Sequence, residues 1–213
     1  PFKKQVEFMR IIEQQSLADN IIEIYKKHAC AWTQLRGEHL YEQLWLDDFL
    51  SLIPQSSRIL DLGCGSAKPI AAYFIAQDYA VTGVDSSDVM IAMARQNFPE
   101  QNWIEADMRT VVLTQKMQGI LAWDSFFHLT PADQRQMFAQ FSKFAESGTV
   151  LMFTSGPFEG EAIGDMFGDA LYHASLSPQE YRTLLQQHGF DVLKMVAEDA
   201  ECAGHTVWLA QKN

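Results

Sequence analysis

Hydrophobic positions along this chain follow two regimes, one on either side of Pro54. Before it they recur at helical spacing: Val6, Met9 and Ile12 mark one face over residues 2–15, and residues 18–53 hold two or three further helical segments. Ser16 or Asp19 stands where an N-cap is wanted, and Gly37 marks a break before the segment that ends at Pro54. After Pro54, short apolar runs alternate with helical stretches. The run ending at Leu62 and residues 80–84, 102–106, 119–123 and 149–154 read as five strands. Between them lie helices at 70–76, at 89–97 and from Thr130-Pro131 onward, the last with Met137, Phe138, Phe141 and Phe144 on its apolar face. A capped helix from Ser177-Pro178 to His188-Gly189 precedes two final strands, 190–196 and 205–210. Only residues 155–174 break the alternation. Glycines at 156, 160, 164 and 168 among acids and aromatics predict a functional loop ending in Tyr172-His173.

Alternating strands and helices predict an α/β fold, and its first strand-to-helix junction carries the chemistry. In Arg58-Ile59-Leu60-Asp61-Leu62-Gly63-Cys64-Gly65-Ser66-Ala67-Lys68-Pro69, Gly63 and Gly65 free the backbone and leave no Cβ between main chain and ligand. The helix start behind them offers unpaired N–H groups. Cys64, inside the turn, reads as a small and partly buried thiol. A dinucleotide fingerprint needs glycine at 68, where this chain has Lys68, and there is no phosphate loop. Asp61 would repel a pyrophosphate on the turn and suits a cationic amino group. S-adenosylmethionine, with an ammonium, a sulfonium and no phosphate, meets both conditions.

A second acid supports that ligand. Asp85, with Ser86 beside it, ends the second strand 20 residues after Gly65, the distance at which an acid accepts from both ribose hydroxyls. A nicotinamide cofactor has the same ribose, so Asp85 alone does not discriminate. Ser87 or Asp88 serves equally as a helix cap, and Met90 packs on adenine or on core. In the N-terminal helices, Tyr25, Trp32 and Arg36 fall at i, i+7 and i+11 on one face. They form either a packing stripe or a lid whose rings cover the sulfonium and whose guanidinium pairs with the methionine carboxylate.

The stretch Asp61-Leu62-Gly63-Cys64-Gly65-Ser66-Ala67 resembles the first motif, acid-x-Gly-x-Gly-x-Gly, of the class I S-adenosylmethionine-dependent methyltransferases, with Ala67 in the third glycine position. The resemblance runs from about Ile59 to the C-terminus. It implies a Rossmann-like, seven-stranded, mostly parallel sheet with an antiparallel C-terminal strand pair and helices on both faces. A helical cap over residues 1–53 would cover an S-adenosylmethionine-binding domain over 54–213. It further implies that Asp107 accepts from the adenine amino group and that the Met108 N–H reaches a ring nitrogen. Residues after the fourth strand then face the transferred methyl group. Asp124 and His128 become acid/base candidates, Trp123 a wall residue of the cofactor site, and His173 a further catalytic candidate. Methyl transfer of this kind needs no metal, and none is expected.

Composition narrows the partners. The 213 residues, 47% apolar, suffice for one α/β domain with an appendage. A net charge of −11 argues against nucleic acid or an anionic membrane as partner, so a small-molecule acceptor is expected, with S-adenosylhomocysteine as the co-product. No apolar run approaches the roughly 20 residues of a membrane span, no signal-peptide pattern opens the chain, and a cytoplasmic protein is expected. Cys30, Cys64 and Cys202 are too far apart for a ligand pair and read as reduced thiols. The alternatives are a non-catalytic S-adenosylmethionine-binding regulatory protein and an NAD-dependent oxidoreductase.

Overall fold

A computed structural model describes residues 2–213, with side chains described from Ile12 onward. In chain order the elements are α1 (Phe2–Arg36), α2 (Gln43–Ser51), β1 (Arg58–Leu62), α3 (Ile70–Ala76), β2 (Ala80–Asp85), α4 (Asp88–Asn97), β3 (Asn102–Glu105), β4 (Met117–Ala122), α5 (Pro131–Phe144), β5 (Ala145–Ser155), β6 (Gly160–Met166), β7 (Asp169–Ser175), α6 (Pro178–Gln187), β8 (Phe190–Asp199) and β9 (His205–Lys212). Seven strands form one sheet in the order β3-β2-β1-β4-β5-β9-β8. Pairing is parallel from β3 through β5, and antiparallel where β9 meets β5 and β8. Chain direction across the sheet switches between β1 and β4, which opens a crevice at the carboxyl ends of those strands.

Strand alternation sorts the core into two layers. On one face Ile59 and Leu121 pack with Trp45 and Phe49 of α2, Phe74 of α3 and Ile91 of α4. On the other, Leu60 and Leu62 pack with Phe138 and Phe141 of α5 and Leu185 of α6. Thr130 and Ser177 cap α5 and α6 as expected, each accepting from the N–H three residues on.

Four expectations are corrected. Residues 2–36 form one continuous helix with no break at Ser16 or Asp19, while Gly37 does end it with φ +62°. The Val6 and Met9 side chains lie outside the described residues. Because α2 is buried in the main core, it belongs to the sheet rather than to a cap, and the covering helix is α1 alone. Residues 155–174 are not a loop: β6 and β7 pair as a hairpin that packs Met166, Leu171 and Tyr172 against Ile21 and Ile24 of α1. All of β6 except Met166 is exposed, so it shows no apolar alternation to read. Finally, β5 starts at Ala145, and the register shifts between Met117 and Gly119, so Glu146-Ser147-Gly148 is an irregularity within the strand rather than a turn before it. Among the described residues, no helix is long and apolar enough to cross a membrane.

Candidate active site

A cavity lies over the carboxyl ends of β1, β2, β3 and β4, roofed by α1. All thirteen residues expected to bind the cofactor line it: Tyr25, Trp32, Arg36, Asp61, Gly63, Cys64, Gly65, Asp85, Ser86, Met90, Asp107, Met108 and Trp123. Asp124 and His128 line it too. His173 does not. It sits in β7, with its ring against Phe127 and His128 at centroid distances of 5.3 and 4.8 Å.

The turn after β1 is held by main-chain bonds from Gly63 and Cys64 to the Val84 carbonyl, 2.7 and 3.1 Å. Gly63 has φ +81°, and a Cβ there would lie 2.3 Å from the Ser125 Cβ, so both conformation and space require glycine. Ala67, at the third glycine position, also takes the left-handed conformation, φ +67°. The departure from the family's glycine therefore leaves the turn intact, and the helix begins later, at Ile70 behind Pro69. Cys64 is buried, and burial with the nearby carboxylates Asp85 and Asp61 keeps its thiol protonated.

Three acids stand in three different states. Asp61 is 4% exposed and has no hydrogen-bond partner among the described residues; burial, reinforced by the Asp85 charge, raises its pKa to about 7. Asp85 is also raised by burial, against which the Ser87 and Gly65 N–H groups act at 2.8 and 2.9 Å. Asp107 is clamped by Arg109, whose Nε lies 3.0 and 2.9 Å from the two carboxylate oxygens and whose Nη2 lies 2.6 Å from Oδ2. Burial opposes the charge, but the Arg109 contacts outweigh it and hold Asp107 below the usual carboxylate range. The Met108 N–H beside it has no hydrogen-bond partner among the described residues.

The end of the cavity beyond β4 is built from hydrogen-bonded chains. His128 is buried, and burial is the main reason its pKa falls to about 4, so the ring is neutral. Its Nδ1 lies 2.8 Å from the Tyr172 carbonyl, which only accepts, so Nδ1 carries the proton and Nε2 accepts from the Tyr25 hydroxyl at 3.0 Å. Asp124 has φ +48° and accepts from Tyr41 Oη at 3.3 Å and from His205 Nε2 at 2.9 Å, while its N–H donates to Thr154 Oγ1 at 2.9 Å. His205 stacks between Tyr41 and Trp123, with centroid distances of 5.3 and 5.5 Å, and its Nδ1 faces the Cys202 carbonyl at 2.8 Å. Both ring nitrogens face acceptors, which favours the imidazolium: burial lowers its pKa, but Asp124 outweighs it and the net shift is upward. Arg36 donates to the His39 carbonyl at 2.8 Å and to the fully buried Glu42, and lies 4.6 Å over the Tyr41 ring. Its charge is thus answered within the protein.

Residues 59–148 match the family described as a methyltransferase domain. An O-methyltransferase of Pyrenophora dematioidea is 26% identical over 168 residues, covering 73% of this chain and 62% of that protein. A trans-aconitate 2-methyltransferase of Rhodopseudomonas palustris is 30% identical over 112 residues, 52% of this chain and 41% of that one. The chain spans less than two thirds of the length of the curated relatives it matches. Among solved structures, the S-adenosylmethionine-bound amino pentose methyltransferase CalS10 of Micromonospora echinaspora aligns with TM-score 0.66 at 18% identity, over 84% of this chain and 93% of that one. That likeness is one of fold. The matched stretch begins within β1 and includes the cavity's turn, all three strand-end acids, Asp124 and His128, whereas α1 and the β6–β7 hairpin lie outside it.

Sequence reading missed Arg109, Ser125 and His205. Only Arg109 left a local signal, an arginine two residues after Asp107.

Proposed function

We propose that the protein methylates a small-molecule acceptor with S-adenosylmethionine and releases S-adenosylhomocysteine. Asp61 carries the reading: a buried, unpartnered carboxylate on the lip of a glycine turn is costly unless a ligand cation answers it. Asp61 takes the ammonium, Asp85 adds ribose hydroxyls to the two N–H groups it already accepts, and the Met108 N–H with Asp107 serves the adenine end. The sulfonium supplies an already activated methyl group, so the protein's work is to hold the acceptor in line and keep water out.

Within this proposal α1 and the β6–β7 hairpin form the lid, with Tyr25 and Trp32 as its inner face, ring centroids 6.0 Å apart in an edge-on arrangement. Asp124 is a structural anion for His205 rather than a free base, and His128 holds the Tyr25 hydroxyl. The substrates named for two of the relatives, trans-aconitate and an amino pentose, are both small molecules, which supports a small acceptor here.

Calorimetric titration with S-adenosylhomocysteine and with NAD tests the reading. S-adenosylhomocysteine should bind and NAD should not; NAD binding without a response to the nucleoside would overturn it.

A further inference from the structure

Following the protons at the methyl end of the cavity shows what that end can hold. The Tyr25 O–H is spent on His128 Nε2, because His128 Nδ1–H is itself spent on the Tyr172 carbonyl. Tyr25 therefore offers the cavity lone pairs only. The Ser125 hydroxyl donates to the Leu62 carbonyl at 2.6 Å, so it too can only accept. Asp61 is taken by the ligand's ammonium in the reading above, and Asp124 is held by Tyr41 and His205. The cations that line the cavity are already answered: Arg36 by Glu42, Lys68 by Glu38, Arg109 by Asp107 and Asp133. The Trp123 Nε1–H is buried and has no hydrogen-bond partner among the described residues.

From this lining we infer that the methyl acceptor is an amine, docked with an N–H donated to the Tyr25 hydroxyl oxygen. The inference rests on the methyl-transfer reading above and deepens it. A carboxylate acceptor would bring lone pairs against the lone pairs of Tyr25 and Ser125. An alcohol would need a base to take its proton as it reacts, and here the His128 Nε2 is occupied by Tyr25 while Asp124 is held by His205 and Tyr41. An amine that has given its ammonium proton to solvent before docking needs none. Its nitrogen lone pair forms the new N–C bond as the S–C bond breaks, and the S–C electron pair stays on sulfur as the thioether. The positive charge passes to nitrogen, whose remaining hydrogen stays on it and points at Tyr25. Developing positive charge is what the Tyr25 and Ser125 lone pairs stabilise.

Sinefungin, which carries an amine where S-adenosylmethionine carries its sulfonium methyl, probes those lone pairs without knowledge of the acceptor. Calorimetry on the full chain should give sinefungin at least about 10-fold tighter than S-adenosylhomocysteine, from hydrogen bonds made by a charged donor. In Tyr25→Phe the preference should fall to within about twofold, with S-adenosylhomocysteine still binding and so reporting an intact fold. No preference in the unaltered protein, or a preference untouched by the substitution, would overturn the inference while leaving methyl transfer standing. Failure of both nucleosides to bind would remove the parent reading and this one together. Turnover confined to carboxylates, in a panel of matched amines and carboxylates, also overturns it.

Discussion

Asp85 joins two segments of the site, accepting the Gly65 N–H with Oδ2 at 2.9 Å and the Ser87 N–H with Oδ1 at 2.8 Å. One carboxylate thus fixes both the glycine turn after β1 and the start of α4, and each oxygen keeps lone-pair capacity for a ribose hydroxyl. Asp85→Ala removes both anchors. Charge-assisted bonds of this kind contribute about 1.5–3 kcal/mol each, so S-adenosylhomocysteine affinity should fall about 100-fold or more by calorimetry. Asp85→Asn keeps one accepting oxygen and should fall between the two.

In the proposed function Asp61 sets ligand recognition against stability. Its folded pKa, about 7, lies above that of an exposed carboxyl, so its stabilising contribution is complete at low pH and is lost as pH rises through 7. At pH 8 the ligand-free fold carries a desolvated charge at a cost of roughly 2–4 kcal/mol. Asp61→Asn should therefore raise Tm by several degrees at pH 8, with the gain fading as pH falls toward about 4. The same substitution should weaken S-adenosylhomocysteine by about 50-fold or more, because the ammonium loses its anion. Thermal melts at both pH values, without nucleoside, check the first half, and calorimetry the second.

Asp61, Asp85 and Asp107 were legible because strand order delivers them: each follows a short apolar run, and parallel strands place such ends along one edge. The groups that escaped reading arrive from elsewhere. His205 reaches Asp124 across 81 residues, from the start of an antiparallel strand, and nothing local marks it. Ser125 shows its role only once its Cβ is seen against Gly63. His173 was expected at the cavity because glycine spacing hid a hairpin whose outer strand faces solvent. The continuous α1 escaped for the opposite reason: Ser16 and Asp19 look like caps, yet a surface helix tolerates both in its interior.

Arg109 bridges three elements, reaching Asp107 beyond β3, Asp133 of α5 at 2.8 Å and Asp19 of α1 at 3.3 Å. Its guanidinium is partly buried, so Arg109→Ala should cost about 1–2 kcal/mol in urea melts near neutral pH. The sign with pH follows from Asp107, whose folded pKa is depressed. That contribution is present above the ordinary carboxylate value and is lost as pH falls through the folded one. The gap between the unaltered protein and Arg109→Ala should accordingly close in acid.

His205 should show the reverse trend. Burial alone would push its pKa down, but the Asp124 hydrogen bond and charge outweigh burial and lift it above the ordinary imidazole value. A raised folded pKa means that the Asp124–His205 pair stabilises fully below about 6.5, and that the contribution is lost as pH rises through the folded value. Asp124 depends on that pair, because its left-handed backbone, φ +48°, is held by Thr154 on one side and by His205 on the other. His205→Gln keeps a hydrogen-bonding side chain and removes the charge. Its Tm deficit should be larger at pH 6 than at pH 9, roughly 1–2 kcal/mol at the lower pH for a half-buried pair. Proton NMR of the unaltered protein should show one imidazole titrating above the ordinary range, absent from the variant. A deficit that does not depend on pH would mean that the ring is neutral and that Asp124 is held by Tyr41 and Thr154 alone.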